Sequence, residues 1–141
     1  PFTTLHPILG VVKNFDQEII IADIPGIIEG AHEGKGIGDK FLAHIERCKV
    51  LLHILDCSEK DFIENYKIIR GELLKYGKNL SKKNEIIALS KFDLSQFNIN
   101  ELKKMIRSFS KNNIYVFSSI TNDGIDSLIK GIFKIYNGTN D

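Results

Sequence analysis

The sequence contains little cysteine, almost no net charge and no long hydrophobic run. Its two cysteines, Cys48 and Cys57, lack the spacing of a metal site, so we expect reduced thiols of a cytoplasmic protein, with Cys48 in the core. There is no signal-peptide pattern and no apolar run longer than a strand, so no membrane segment is predicted. A net charge of +1 argues against a surface built to bind nucleic acid.

Internal repeats, low-complexity tracts and interdomain linkers are also absent, which favours a single domain for a chain of 141 residues. Hydrophobic residues make up 43% of the sequence, enough for a sizeable core. Short apolar runs alternate with amphipathic segments of helical period. This alternation predicts an α/β fold with a mostly parallel sheet and helices on both faces.

Four apolar runs have the length and composition of buried strands. They occupy residues 19–22, 50–55, 85–89 and 114–117. A further extended stretch at residues 9–13 lies close enough along the chain to pair with the first strand as a hairpin-like edge.

Capping signals and apolar periodicity predict the helices. Asp61 with Glu64, and Asn98 with Glu101, have the capping-box spacing that starts a helix. A shorter helix is expected at about residues 39–47. The apolar stripe of the last helix consists of Ile125, Leu128, Ile129, Ile132 and Phe133.

A loop rich in glycine follows the strand that ends at Asp23. It carries glycines at positions 26, 30, 34, 36 and 38, and glycine loses more conformational freedom on ordering than any other residue. The loop is therefore either a plain flexible connection or a segment that moves in function. We prefer the second interpretation because a candidate metal-binding carboxylate, Asp23, stands at its entrance.

Polar residues follow three of the predicted strands, at 23–26, 90–93 and 118–120. In an open parallel sheet, ligands bind in the crevice outside the carboxyl ends of the strands. A carboxylate such as Asp23 can hold magnesium directly or through a water. Gly26 has no side chain, so its N–H can closely approach a phosphate.

The segment Ser90-Lys91-Phe92-Asp93 is the more informative of these groups. A carboxylate at the tip of a strand can accept hydrogen bonds from the N1–H and the exocyclic amine of guanine, a donor pair that adenine lacks. The aliphatic stem of Lys91 can lie along the purine plane. Taken alone, the motif fits an exposed lysine and a helix-capping aspartate equally well.

The order and context of these motifs match a known family. The matching stretches are Pro1-Phe2-Thr3-Thr4-Leu5 with Leu9-Gly10-Val11-Val12, Asp23-Ile24-Pro25-Gly26-Ile27-Ile28-Glu29-Gly30-Ala31-His32, Gly36-Ile37-Gly38, and Phe41-Leu42 with His44-Ile45-Glu46-Arg47. They resemble the switch I and switch II regions of Obg GTPases. The resemblance covers nearly the whole chain.

This resemblance implies a P-loop NTPase-like G domain that binds and hydrolyses GTP as a molecular switch, and a cytoplasmic bacterial protein that engages the large ribosomal subunit during assembly. It implies magnesium held by Thr4 directly and by Asp23 through water. The implied nucleotide site consists of Phe2, Thr3, Thr4, Leu5, His6, Asp23, Ile24, Pro25, Gly26, Ser90, Lys91, Phe92, Asp93, Ser118, Ser119 and Ile120.

The sequence departs from the family pattern in three ways. The phosphate-binding P-loop is not in these residues, and the chain begins with Pro1, so we expect a piece of a longer protein that alone does not bind GTP usefully. The strand that the family places between those of Asp23 and Val50 is missing with it.

Ser90 stands where the family commonly has asparagine, which weakens nucleotide affinity. Ile27 follows Gly26 where many GTPases have a water-orienting glutamine, so no catalytic residue is named.

Two other interpretations stay open from the sequence. One is a non-catalytic, degenerate G domain that serves as an interaction module. The other is a relative of the DRG or YchF type; these share the glycines but fit the His44-Ile45-Glu46-Arg47 run less well.

Overall fold

The computed structural model describes residues 8–14, 16–23, 46–76 and 82–138. In chain order the elements are β1 (Ile8–Asn14), β2 (Gln17–Asp23), β3 (Val50–Asp56), α1 (Phe62–Tyr76), β4 (Asn84–Ser90), a 3-10 turn (Phe92–Leu94), α2 (Ile99–Arg107), β5 (Asn113–Val116) and α3 (Ile125–Gly138). They fall into two compact units. The first unit comprises residues 1–49 and 67–83, and the second comprises residues 50–66 and 84–141.

The first unit contains the predicted hairpin. Strands β1 and β2 pair antiparallel, with Ile8 opposite Asp23 and Asn14 opposite Gln17. Lys83 of the same unit donates from its ammonium group to the carbonyl oxygens of Glu46 and Cys48, at 3.1 and 2.6 Å. These bonds tie Lys83 to the segment just before β3. The helix predicted at about residues 39–47 lies almost wholly outside the described residues.

The second unit is built on a parallel sheet in the order β3-β4-β5. Its central strand β4 carries a fully buried run, residues 86–89. A continuous buried run, rather than alternation, is typical of a parallel strand covered on both faces. Leu102 and Ile106 of α2 are also fully buried, and they belong to the same hydrophobic cluster as Ile87.

The three described helices begin where the sequence predicts. Asn98 and Glu101 form a complete capping box: the Asn98 side chain accepts from the Glu101 N–H at 2.9 Å, and the Glu101 side chain accepts from the Asn98 N–H at 3.0 Å. In α3 the buried face contains Leu128, Ile132 and Phe133. The capping box therefore fixes the start of α2, and the apolar stripe fixes the face that α3 buries.

A polar cluster lies inside the second unit at the amino end of β4. The Glu85 side chain, 4% exposed, accepts from the Tyr66 hydroxyl at 2.8 Å and from the Asn112 amide at 3.0 Å. The Nδ1 atom of His53 lies 3.6 Å from the other carboxylate oxygen. A buried carboxylate is tolerated when such donors surround it, so this cluster ties β3, α1, β4 and the approach to β5 together.

The predicted α/β fold with a parallel sheet is confirmed, and all five predicted strands exist, with ends that differ from the prediction by at most two residues. The five described strands form two separate sheets. Cys48 differs from expectation: it is half-buried, whereas Cys57 is buried. No helix in the described part of the chain is both long enough and apolar enough to cross a membrane.

Candidate functional site

The carboxyl ends of the three parallel strands of the second unit form the candidate site. Asp56 at the end of β3 is paired in register with Ser90 at the end of β4, and Leu89 is paired with Val116 of β5. Parallel strands end at one edge of their sheet, so the segments after β3, β4 and β5 are brought together there. Two of these segments are the predicted base-binding stretches.

Asp93 is held by the loop that follows β5. It lies in the 3-10 turn after β4, and its Oδ1 atom accepts from the Ser118 hydroxyl at 2.7 Å. Ser118 is 1% exposed, whereas Asp93 is exposed. A buried hydroxyl therefore orients a carboxylate that faces solvent, and such a carboxylate can accept a pair of N–H donors from a ligand.

Backbone hydrogen bonds fix the Ser118 loop to the strand ends. The Phe92 N–H donates to the Phe117 carbonyl at 3.2 Å, and the Ser118 N–H donates to the Asp123 carbonyl at 2.9 Å. Strand β5 ends at Val116, one residue earlier than predicted. Ser119 and Ile120 lie in the exposed turn beyond it, with Ile120 81% exposed. Both are open to a ligand at this edge.

Lys91 connects the end of β4 to the end of β3. Its backbone is in the left-handed region, with φ 58° and ψ 37°, which non-glycine residues seldom adopt. Its ammonium group lies 3.0 Å from the Oδ2 atom of Asp56. The hydrogen bond to Asp56 raises the pKa of Lys91, so its side chain stays charged at neutral pH.

Ser90 directs its side chain toward β3. Its hydroxyl donates to the Leu55 carbonyl at 3.2 Å, and its own carbonyl accepts from the Cys57 N–H at 3.1 Å and from the Cys57 thiol at 3.0 Å. Burial raises the pKa of the Cys57 thiol, so the sulfur keeps the proton that it donates. These bonds extend the β3–β4 pairing past the strand ends.

The predicted phosphate and magnesium residues are mostly outside the described part of the chain. Asp23 is described: it ends β2 in the first unit and is exposed. Phe2, Thr3, Thr4, Leu5, His6, Ile24, Pro25 and Gly26 lie outside the described residues. Within the described ranges no group of three or more His, Cys, Asp or Glu side chains is placed to hold a metal ion.

Asp56 was missed by the sequence reasoning. It follows β3 just as Ser90 follows β4, so the rule that ligands bind beyond strand ends applied to it equally. The sequence signal for a site residue here was the segment Asp56-Cys57-Ser58, which directly follows an apolar run. Aspartate and serine are typical turn residues.

Comparison with known proteins decides the family. The family model described as "50S ribosome-binding GTPase" matches residues 1–91 of the chain, which is well over half of it. The chain belongs to this GTPase family.

Within this family of 50S ribosome-binding GTPases, the chain is similar to bacterial proteins named GTPase Obg, which confirms the resemblance. That of Ehrlichia canis (strain Jake) is 50% identical over 143 residues, covering 99% of the chain and 42% of the relative. Those of Rickettsia akari (strain Hartford) and Rickettsia bellii (strain RML369-C) are 47% and 49% identical, over 96% and 92% of the chain and 41% and 40% of the relatives. The chain thus spans about two fifths of their length.

Two solved structures share the fold of this GTPase family member. A mutation variant of SsGBP gives a TM-score of 0.71 at 16% identity, covering 94% of the chain and 47% of that structure. Nucleolar GTP-binding protein 1 of Plasmodium falciparum gives a TM-score of 0.57 at 22% identity, covering 94% and 74%. At these identities the likeness concerns the fold alone.

Proposed function

We propose that this chain is the switch-bearing and base-binding part of a GTP-hydrolysing molecular switch that acts in the cytoplasm on the large ribosomal subunit during its assembly. Family membership supports guanine-nucleotide binding. The names of its relatives and of the family model support a ribosomal role. Because the chain spans about two fifths of those relatives, the activity belongs to the full-length protein.

The observation that supports the base assignment is the hydrogen bond from Ser118 to Asp93. It fixes one carboxylate oxygen of an exposed aspartate at the carboxyl edge of the sheet. Two hydrogen bonds from the N1–H and the exocyclic amine of guanine would then meet an oriented acceptor. Bonds to a charged group contribute about 1.5–3 kcal/mol each, so adenine, which lacks this donor pair, is rejected.

The phosphate end of the site completes the proposal. Magnesium would be held by Thr4 directly and by Asp23 through a water, together with phosphate oxygens, which is the way this ion is usually bound beside nucleotides. The exposed carboxylate at the end of β2 suits a water-mediated ligand. Gly26 would approach the terminal phosphate, and the loss of that phosphate on hydrolysis would release the two switch segments.

Base specificity is tested by Asp93→Asn in the full-length protein. The side-chain oxygen of the introduced asparagine can still accept from Ser118, which leaves the amide N–H₂ to face the base. We expect guanosine triphosphate to bind about 100-fold more weakly because two charge-assisted bonds are lost. Xanthosine triphosphate, which carries a carbonyl in place of the exocyclic amine, should bind better than it does to the wild type.

The matched control is Asp123→Asn, the same chemical change in the same loop. Asp123 uses its backbone carbonyl to hold Ser118, and its side chain meets only Thr121 among the hydrogen bonds of the described residues. The base preference of the Asp123→Asn variant should equal that of the wild type. If Asp93→Asn leaves the base preference as it was, Asp93 is not the base-reading residue.

A further inference from the structure

The carboxylate at the end of β3 has no part in the proposed function so far. Asp56 is paired in register with Ser90, so it lies at the same sheet edge as the base-binding segment that begins there. Its Oδ2 atom lies 3.0 Å from the ammonium group of Lys91. The Lys91 side chain therefore runs along the edge from β4 to β3 and ends on a fixed acceptor.

We propose that Asp56 is a positioning residue for the nucleotide base: by pairing with Lys91 it holds the lysine stem where one face of guanine packs. The inference deepens the proposed function and rests on it. It assigns to Asp56 a role in nucleotide affinity through Lys91, without contact between Asp56 and the base.

The carboxylate of Asp56 is itself held rigidly. Its Oδ1 atom accepts from the Ser58 N–H at 3.0 Å and from the Ser58 hydroxyl at 2.5 Å, which leaves Oδ2 directed at Lys91. The hydrogen bond from Ser58, and after it the pairing with Lys91, lower the pKa of Asp56 against the opposing effect of burial. Both partners of the pair are therefore charged across the neutral pH range.

The backbone on either side of the pair is held by the same turn. The carbonyl of Ser90, which directly precedes Lys91, accepts both from the N–H and from the thiol of Cys57. Lys91 then takes its left-handed conformation. The segment 56–58 thus contacts the β4 end twice, through the Ser90 carbonyl and through the Lys91 ammonium group.

Holding Lys91 in advance matters because its side chain is long and 58% exposed. An unpaired lysine samples many rotamers, and a base that packs on its stem must meet the entropy cost of selecting one of them. A contact that is already ordered in the free protein lowers that cost and raises affinity. The Ser90 hydroxyl is already bonded to the Leu55 carbonyl.

The test is equilibrium titration of the full-length protein with GDP and with inosine diphosphate, in the presence of magnesium. Asp56→Asn keeps the shape of the side chain and removes its charge. We expect both nucleotides to bind roughly three- to tenfold more weakly. The ratio of the two affinities should stay constant, because the lysine stem contacts the ring face that the two bases share. Asp56→Glu restores the charge and should recover part of the affinity.

A double-variant cycle links the effect to Lys91. Lys91→Ala should weaken GDP binding at least as much as Asp56→Asn does. The double variant should bind GDP no more weakly than Lys91→Ala alone, since Asp56 acts through the Lys91 side chain. Lys91→Met retains most of the stem but cannot pair, so it should lose affinity as Asp56→Asn does. The matched control is Asp61→Asn before α1, where asparagine is an equally good helix cap and binding should not change.

The outcomes separate this inference from the proposed function. Wild-type affinity in Asp56→Asn or in Lys91→Met, or full additivity in the double variant, overturns the positioning role and leaves guanine binding in place. If Asp56→Asn does not fold, Lys91→Met decides the same question. A wild-type protein that binds no guanine nucleotide removes the proposed function, and the positioning role with it.

Discussion

Glu85 lies near the amino end of β4 with its side chain turned into the second unit. Its carboxylate is buried and bonded to the Tyr66 hydroxyl and the Asn112 amide. Those partners are 19 and 27 residues away along the chain. Periodicity placed Glu85 correctly in a strand. A strand pattern does not reveal partners that reach the residue from other elements.

This burial leads to a prediction for stability. Glu85→Ala removes the acceptor shared by Tyr66 and Asn112 and leaves a cavity beside His53. It should lower the free energy of unfolding by about 2–4 kcal/mol. Urea denaturation of the full-length protein measures the change, in the unfolding transition of the second unit.

Glu59→Ala is the control, because Glu59 is an exposed glutamate in the turn after β3. Substitutions at such surface positions usually change stability by no more than about 0.5 kcal/mol. If Glu85→Ala lowers the free energy of unfolding as little as Glu59→Ala does, the polar cluster around Glu85 does not stabilise the sheet.

The site residues show the same division between local and distant information. Ser90, Lys91 and Asp93 were placed at one sheet edge from the sequence because parallel strands end together. The bond between Ser118 and Asp93 and the pairing of Lys91 with Asp56 were not predicted. They depend on the backbone conformation of the loops, including the left-handed conformation of Lys91, which residues other than glycine seldom adopt.

Among the elements, the connection from β5 to α3 depends on one glycine. Gly124 has φ 79°, and a Cβ atom there would overlap the carbonyl oxygen of Val116. A backbone atom cannot move aside as a flexible side chain can. Gly124 directly follows Asp123, whose carbonyl accepts from the Ser118 N–H, so this glycine also shapes the loop proposed to bind the base.

Gly124→Ala should therefore lower the free energy of unfolding by about 1–3 kcal/mol and weaken GDP binding. Thermal unfolding and GDP titration of the full-length protein measure the two effects. In contrast, Gly71→Ala in α1 places a Cβ where no atom of the described residues lies within 4 Å. It should stabilise the helix by about 0.5–1 kcal/mol. Equal stability of the two alanine variants would contradict the role of Gly124.

The elements themselves were largely predictable because their signals are local. The α2 capping box connects residues three apart, and the hairpin of β1 and β2 has a short connection. The end of β5 was predicted one residue too late, since the strand ends at Val116.

For the whole molecule, alternating strands and helices predicted the α/β fold, and shared motifs predicted the family. Both are confirmed. The roles of residues 2–6 and 24–26 stay predictions because those residues lie outside the described ranges. Spacing along the chain indicates which residues gather at an edge.

The central claim is that this edge recognises guanine in the full-length protein. Calorimetric titration of that protein with GTP, GDP and ATP, each with magnesium, measures it directly. GTP and GDP should bind, and ATP should bind at least about 100-fold more weakly, because adenine lacks the donor pair that Asp93 accepts. ATP binding as tight as that of GTP would contradict the account.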